Sequence, residues 1–392
     1  MRKMTVENRQ NETSFFAIFA TLKMRTFYFS FVALFFSFST SSQEEAKTPL
    51  SVEADFFYGN IWEHNPEIQH LITDHPTGFH VAFNFKSFGV KEWERRYNYP
   101  DWGFSAVFQN MQNKHLGEVV GVYSHINWYL LNRHLVLGVG QGIGYASNPY
   151  DSQRNYQNNA YGSHLMAATF FRGNYIRENI WNGFGFQIGM TIFHYSNGNL
   201  KAPNKSTNTV ALNAGVNYIF DSENFPEYRF ENDSLSRTYA EPICFSFEFR
   251  SGANESDVIG IGRRPFYIFS AFADKRINYK STFQAGVDFF VMPFLKDYIE
   301  YRSVAYPEDG LSGNEDYKRV GVFVGHEWRF NRVAMIAQLG YYVYYPFDYE
   351  NRIYNRLGIK RYLMGDNLYA SVGVKAHWAK AEAVEFGIGY RL

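Results

Sequence analysis

The sequence predicts an all-β protein: a transmembrane antiparallel β-barrel of roughly 12–14 strands that follows a cleaved signal peptide. Three observations support this prediction. Aromatic residues make up 19% of the 392 residues, the mean hydropathy is only −0.35, and segment after segment alternates apolar and polar residues. A helical membrane protein would need long apolar runs, whereas a membrane barrel exposes every second residue to lipid. A secreted β-sandwich, which shows the same alternation, is the alternative fold.

The first 42 residues have the pattern of a secretory signal. Lys23 and Arg25 precede an apolar run over residues 27–38, and small residues follow at 39–42. A charged region, a short apolar region and a small-residue cleavage zone are typical of a signal peptide. The run is too short to cross a bilayer as a helix, so an N-terminal anchor is the weaker interpretation. Met24 is a second candidate start, which would make residues 1–23 an upstream extension.

Residues 43–76 are predicted to form an N-terminal segment and loop ahead of the barrel. Val52, Ala54, Phe56 and Tyr58 alternate as in a strand, and a loop with three histidines follows. The spacing of those histidines matches no zinc motif, and they lie among Pro and Asn residues. We therefore interpret them as loop residues and predict no metal site and no cofactor.

Residues 77–392 are predicted to form the barrel itself. Alternation recurs in many segments, and the last one, residues 383–392, ends the chain on an apolar residue, as outer-membrane barrels commonly do. Glycines at every second position of 138–144 indicate a crowded wall that faces bulky side chains. Four polar stretches are predicted to be loops at one barrel end: residues 148–162, 221–242, 295–317 and 346–366.

Charge and cysteine content exclude some classes of function. The formal net charge is +0, so no polybasic footprint for nucleic acid is present. The single cysteine, Cys244, excludes an intrachain disulfide and a thiolate-based metal site. The membrane is the expected partner, and the sequence does not specify an oligomeric state.

A histidine and a serine continue an apolar strand face at residues 194–198. His194 and Ser196 share the parity of Ile188, Met190 and Ile192, so all five side chains are predicted to project from one face. In a membrane barrel that face would contact lipid. A serine needs a nearby base to attack an ester. Taken as a bare pattern, however, His and Ser before Asn-Gly at a strand end are also typical of a polar turn.

Residues 193–204 resemble the motif of the lipid A 3-O-deacylase (PagL-type, acyloxyacyl hydrolase-like) family. The resemblance is specific over residues 189–218 and looser elsewhere, and the chain is longer than the small eight-stranded members. It implies a barrel in the outer membrane of a Gram-negative bacterium, exported through its signal peptide. It also implies an esterase that acts on lipid A of lipopolysaccharide in the outer leaflet, from a site on the outer wall.

The resemblance also implies roles for individual residues of the motif. His194 would be the general base, Ser196 the nucleophile and Asn204 an oxyanion donor. Backbone N–H groups near Gly198 and Asn199 would join Asn204, and Asn197 would hold the loop.

One position departs from the family pattern. The third member of the family's triad is a glutamate, and alignment from the histidine places Asn208 there. An asparagine can fix the imidazole tautomer but cannot stabilise the imidazolium by charge. Glu178 and Glu248 are the other carboxylates considered. Three functions follow: a serine esterase that removes an ester-linked acyl chain from lipid A, a catalytically degenerate lipid-binding or structural barrel, and a small-solute channel.

Overall fold

The computed structural model describes residues 49–228, 239, 241–378 and 380–392, all within one compact unit, Lys47–Leu392. The predicted signal region, residues 1–42, lies outside the described residues. Sixteen strands in the described ranges form two closed antiparallel barrels of eight strands each. The all-β barrel class predicted from the sequence is therefore confirmed.

The N-terminal barrel contains the first eight strands, each paired with the next along the chain. Their bounds are β1 Leu50–Ile61, β2 Thr77–Phe85, β3 Asp101–Asn110, β4 Glu118–Leu130, β5 Leu135–Ala146, β6 Leu165–Trp181, β7 Phe184–Ser196 and β8 Thr207–Ile219. The barrel closes where β1 pairs with β8, from Ser51 opposite Ile219 to Ile61 opposite Thr209. This closure leaves no unpaired sheet edge.

The C-terminal barrel contains the other eight strands in the same meander order. Their bounds are β9 Cys244–Asn254, β10 Arg264–Arg276, β11 Ser281–Val291, β12 Arg319–Phe330, β13 Val333–Tyr344, β14 Ile353–Met364, β15 Leu368–His377 and β16 Lys380–Arg391. The pairing of β16 with β9 closes it, from Phe386 opposite Ser251 to Arg391 opposite Ser246.

The number of strands and the closure differ from the prediction of one barrel with 12–14 strands. The structure also starts the first barrel at β1, ahead of the predicted boundary at residue 77. Alternation marks a strand locally, whereas closure depends on pairing between strands far apart in sequence. Residues 346–366, predicted as a loop, contain β14. Its interior positions carry Arg356 and Lys360, which made the segment look polar.

Short helices lie in the connections between strands. Helix α1, Glu92–Arg96, precedes β3, and α2, Phe294–Ala305, lies between β11 and β12; 3₁₀ helices span Pro66–Leu71, Ser222–Asn224 and Pro307–Asp309. None of the helices in the described ranges is both long enough and apolar enough to cross a bilayer.

Side chains alternate between a filled interior and an apolar outer wall. On β5 the glycines point inward, and a Cβ added to Gly140 would come within 2.1 Å of the Phe170 ring, so the glycine makes room for that ring. The interior also holds charged residues in pairs, such as Arg172 with Glu53 in the first barrel and Arg356 with Glu385 in the second. All four are buried. The outward residues include many exposed Phe, Val, Ile and Leu side chains, an arrangement typical of membrane barrels.

Candidate active site on the outer wall

His194 and Ser196 lie at the end of β7 and project from the outer wall of the N-terminal barrel. Their neighbours Phe193 and Tyr195 point inward and are 1% and 0% exposed, whereas Ile188 and Met190 on the outward parity are exposed. Successive strand residues face opposite sides, so the two polar groups lie on the outward side of β7, where His194 is partly exposed and Ser196 is 6% exposed. The structure therefore agrees with the orientation expected from the alternation.

Asn208 on β8 lies directly opposite His194 in the strand register. The His194 Nδ1 atom is 2.7 Å from Asn208 Oδ1. An amide oxygen only accepts hydrogen bonds, so His194 Nδ1 carries the proton and Nε2 keeps a free lone pair. The pair thus sets the imidazole tautomer in which Nε2 can act as a base.

The hydroxyl of Ser196 is bound to the loop that follows it. Ser196 Oγ lies 3.0 Å from Asn204 Nδ2, and the Gly198 N–H donates to the same Oγ at 3.1 Å. Among the described residues, the hydrogen-bond partners of Ser196 Oγ are Asn204 and Gly198, and His194 is not one of them. Two N–H donors therefore converge at the serine, and they can stabilise an oxyanion once the carbonyl oxygen of an ester under attack takes the place of the hydroxyl.

Residues 197–206, the connection from β7 to β8, form a loop organised around Asn204; we call it the site loop. Asn204 Oδ1 accepts from the Asn197 N–H at 2.9 Å, and Asn204 Nδ2 donates to Asn199 Oδ1 at 3.1 Å. Asn197 Nδ2 donates to the Lys201 carbonyl at 2.6 Å. The structure thus connects five motif residues by hydrogen bonds, whereas His194 is bonded to Asn208: the five are Ser196, Asn197, Gly198, Asn199 and Asn204.

The two other carboxylates considered from the sequence lie elsewhere. Glu178 is near the far end of β6 and pairs with Lys86, nine residues beyond Thr169, the residue that lies opposite His194. At about 3.3 Å per residue this is roughly 30 Å along the strand. Glu248 is buried inside the C-terminal barrel beside Arg250. Neither carboxylate reaches His194, so Asn208 is its partner at Nδ1.

Two residues near the site were missed by the sequence analysis. The Trp62 N–H donates to the Asn208 carbonyl at 2.7 Å, and its exposed ring lies just beyond β1. His64 Nε2 lies 3.2 Å from the Lys205 carbonyl and 3.2 Å from Ser206 Oγ. Both approach the site because β1 closes against β8, which alternation alone does not predict. In the part of the chain that the structure describes, no group of three His, Cys, Asp or Glu residues could hold a metal ion.

A third missed residue comes from the other barrel. Glu255 follows the end of β9, and its carboxylate and backbone N–H both contact the site loop. The sequence offers no local signal for it, because the contact depends on how the two barrels lie together.

Two protein-family models match the chain. The family model described as lipid A 3-O-deacylase (PagL) matches residues 77–217, and that described as acyloxyacyl hydrolase, C-terminal domain, matches residues 243–392. The first match lies within the N-terminal barrel, and the second spans the whole C-terminal barrel. No curated protein matches the chain.

Among solved structures, two engineered variants of the porin from Rhodopseudomonas blastica are similar to the chain. They share 10% and 9% identity with it, and each alignment covers 88% of this chain and 99% of the porin. Their TM-score is 0.16, too low to carry an argument. The assignment therefore depends on the two family models, of which the first includes the His194–Ser196 motif. The N-terminal barrel, from β2 to β8, belongs to the lipid A 3-O-deacylase (PagL) family, and the C-terminal barrel matches the acyloxyacyl hydrolase C-terminal domain.

Proposed function

We propose that the protein is a serine esterase of the outer membrane that removes an ester-linked acyl chain from lipid A. The family acts on the acyl esters of lipid A. The observation that carries the proposal is the outward projection of His194 and Ser196 from an apolar wall, with Asn208 bound to His194 Nδ1 at 2.7 Å. A bilayer would cover that wall, so an acyl ester of a lipid in the outer leaflet would reach the pair from outside.

The chemistry begins with proton transfer from Ser196 Oγ to His194 Nε2. The two residues share a face, and their Cα atoms are about 6.6 Å apart in an extended strand. Rotation of the Ser196 side chain away from Asn204 would bring the hydroxyl toward the imidazole. We expect this movement when substrate binds, because catalytic hydrogen bonds often tighten only in the substrate complex. Oγ then attacks the ester carbonyl, and the Gly198 N–H and Asn204 Nδ2 stabilise the oxyanion.

Collapse of the tetrahedral intermediate breaks the ester bond. The sugar hydroxyl leaves with the proton that His194 took, and an acyl-serine remains on Ser196. Water then attacks the acyl-serine with His194 again as the base, which releases the fatty acid and restores the serine. Asn208 keeps the tautomer correct throughout, but as a neutral amide it adds no charge to stabilise the imidazolium.

The test is to express the full chain in a Gram-negative host and compare lipid A by mass spectrometry. Wild-type protein should remove an ester-linked acyl chain, and Ser196→Ala should leave lipid A intact. Ser124→Ala is the matched control, because Ser124 is a serine on the outward parity of β4 and should behave as wild type. The same acyl pattern in wild type and Ser196→Ala would refute the esterase.

One observation favours a second candidate, a lipid-binding or structural barrel with a degenerate site. Asn208 occupies the position of the family's glutamate, so the imidazolium that forms during attack lacks a counter-charge. An inert natural protein that cleaves lipid A once Asn208→Glu is introduced would support this candidate. For a small-solute channel the structure offers no comparable observation, because buried charged side chains fill the interior of both barrels.

A further inference from the structure

Glu255 of the C-terminal barrel binds the site loop of the N-terminal barrel at two places. Its Oε2 accepts from the Ala202 N–H at 3.0 Å, and its own N–H donates to the Asn199 carbonyl at 2.8 Å. Its other carboxylate oxygen, Oε1, accepts from the Gly262 N–H at 3.3 Å within the C-terminal barrel. The residue is 8% exposed. A single buried glutamate thus ties the site loop to the connection between β9 and β10.

The two attachment points lie between Gly198 and Asn204, the residues whose N–H groups bind Ser196 Oγ. Asn199 accepts from Asn204 Nδ2 through its side chain while its carbonyl binds Glu255. Ala202 lies two residues before Asn204. Because Asn204 Nδ2 also lies 3.0 Å from Ser196 Oγ, the Glu255 contacts constrain the backbone between the two proposed oxyanion donors, Gly198 and Asn204.

A second contact between the barrels lies at Gly198. Its φ is +60°, and a Cβ added there would come within 2.4 Å of Val384 Cγ2 on β16. Val384 lies on the outward parity of β16 yet is only partly exposed. The backbone that carries the Gly198 N–H therefore packs directly against the wall of the second barrel.

In the C-terminal barrel, the connection equivalent to the site loop is too short to form such a loop. Its seventh and eighth strands, β15 and β16, are joined through residues 378–379, whereas β7 and β8 are joined through ten residues, 197–206. A second esterase site built in the same way is therefore absent from the described strands.

We propose that Glu255 is a positioning residue through which the C-terminal barrel holds Asn204 and the Gly198 N–H in place for the oxyanion that forms on the ester carbonyl when Ser196 attacks it. The inference depends on the esterase function proposed above. Glu255 does not touch the reacting atoms: it fixes the Asn199 and Ala202 backbone, and this backbone orients the donors. Displacing catalytic groups by about 1 Å costs about 10²-fold in rate.

The test compares Glu255→Met and Glu255→Gln in the full chain. Methionine keeps the length of the side chain and removes both acceptors, whereas glutamine keeps one acceptor. We expect Glu255→Met to lower kcat for lipid A deacylation about 10²-fold with little change in KM, and Glu255→Gln to recover part of the loss. Amide hydrogen exchange should become faster at residues 199–204 in the methionine variant and less so in the glutamine variant.

Glu315→Ala is the matched control. Glu315 is a loop carboxylate of the same barrel that accepts from the Ser312 and Gly313 N–H groups, so its removal loosens a loop away from the site loop. It should leave kcat and the exchange of residues 199–204 at wild-type values. Wild-type kcat and wild-type exchange in Glu255→Met would overturn the inference.

If Glu255→Met does not fold, the inference is tested with Glu255→Gln alone. The glutamine amide has one acceptor oxygen in place of two, and its nitrogen accepts no hydrogen bond. Either the Ala202 N–H or the Gly262 N–H therefore loses its acceptor and must exchange faster. Unchanged exchange and unchanged kcat in that variant would overturn the inference. If the wild type deacylates nothing, the proposed function fails, whereas the exchange data still show whether Glu255 orders the loop.

Discussion

Asn208 Oδ1 lies 2.7 Å from His194 Nδ1, across the register pair that joins β7 and β8. The contact has the geometry of a base and its orienting residue, but the orienting group is neutral. Both side chains stand on the outer wall, where few water molecules would compensate for a missing charge. Two consequences for the proposed esterase can be measured.

The first prediction concerns the charge at position 208. Asn208→Glu should raise kcat by at least about tenfold, because a carboxylate stabilises the imidazolium that forms during attack. The upper bound is about 10⁴-fold, the loss that the reverse change causes in serine proteases. Asn208→Ala should lower kcat, since nothing then fixes the tautomer. Steady-state kinetics on lipid A check both, and a glutamate variant no faster than wild type would argue against His194 as the base.

The second prediction concerns the oxyanion donor. Asn204→Asp keeps the acceptor for the Asn197 N–H but replaces the Nδ2 donor beside Ser196 with an oxygen. We expect kcat to fall about 10²–10³-fold with KM nearly unchanged, as for other lost oxyanion donors. The control is Asn199→Asp, which adds the same charge nearby and keeps the acceptor for Asn204. In this variant kcat should fall by less than about tenfold. Equal losses in the two variants would mean that charge, and not the donor, matters.

Much of the fold could be predicted because strand alternation is a local property. The inward and outward parities of β7 follow directly from the sequence around Met190, and the structure agrees with them. The closure of β1 on β8 could not be predicted, because two barrels of eight strands and one larger barrel produce the same local pattern. Strand β14 was missed because Arg356 and Lys360 point inward, where buried partners neutralise them.

The candidate site, like the fold, was predictable only in the part that depends on neighbouring residues in the sequence. His194, Ser196 and Asn204 lie within a short segment, so a motif was enough to group them, and strand parity was enough to predict that His194 and Ser196 share a face. Asn208 followed from spacing on the next strand. Glu255 could not be found, because its contacts with Asn199 and Ala202 form only when two separately closed barrels pack side by side.

The third prediction is a coupling between barrels at Gly198 and Val384. Gly198→Ala should lower kcat, since its Cβ would meet Val384 Cγ2 at 2.4 Å and its φ of +60° disfavours a side chain. Val384→Ala alone should change kcat little. The double variant should recover part of the loss, with a coupling energy of about 0.5–3 kcal/mol. Strict additivity in this cycle would show that the two residues do not constrain each other.

The fourth prediction concerns the stability of the N-terminal barrel. Glu53 is 2% exposed and accepts hydrogen bonds from Arg172, Asn84 and Gln187. Glu53→Ala removes the carboxylate that bonds the buried Arg172 guanidinium and leaves Asp55, 4.0 Å away, as its counter-charge, so the free energy of unfolding should fall by about 3 kcal/mol, the lower end for a broken buried ion pair. Denaturant titration of the protein in detergent, followed by tryptophan fluorescence, measures the change.

The control for this prediction is Ser124→Ala on the outer wall, which should shift the free energy of unfolding by no more than about 0.5 kcal/mol. The free energy of unfolding of Glu53→Gln should lie between those of Glu53→Ala and Ser124→Ala, because glutamine keeps an acceptor for Asn84 but loses the charge that pairs with Arg172. If Glu53→Ala is as stable as Ser124→Ala, either Asp55 or water inside the barrel compensates for the lost charge beside Arg172. Only the second case would support the channel, because a solute pathway requires a hydrated interior.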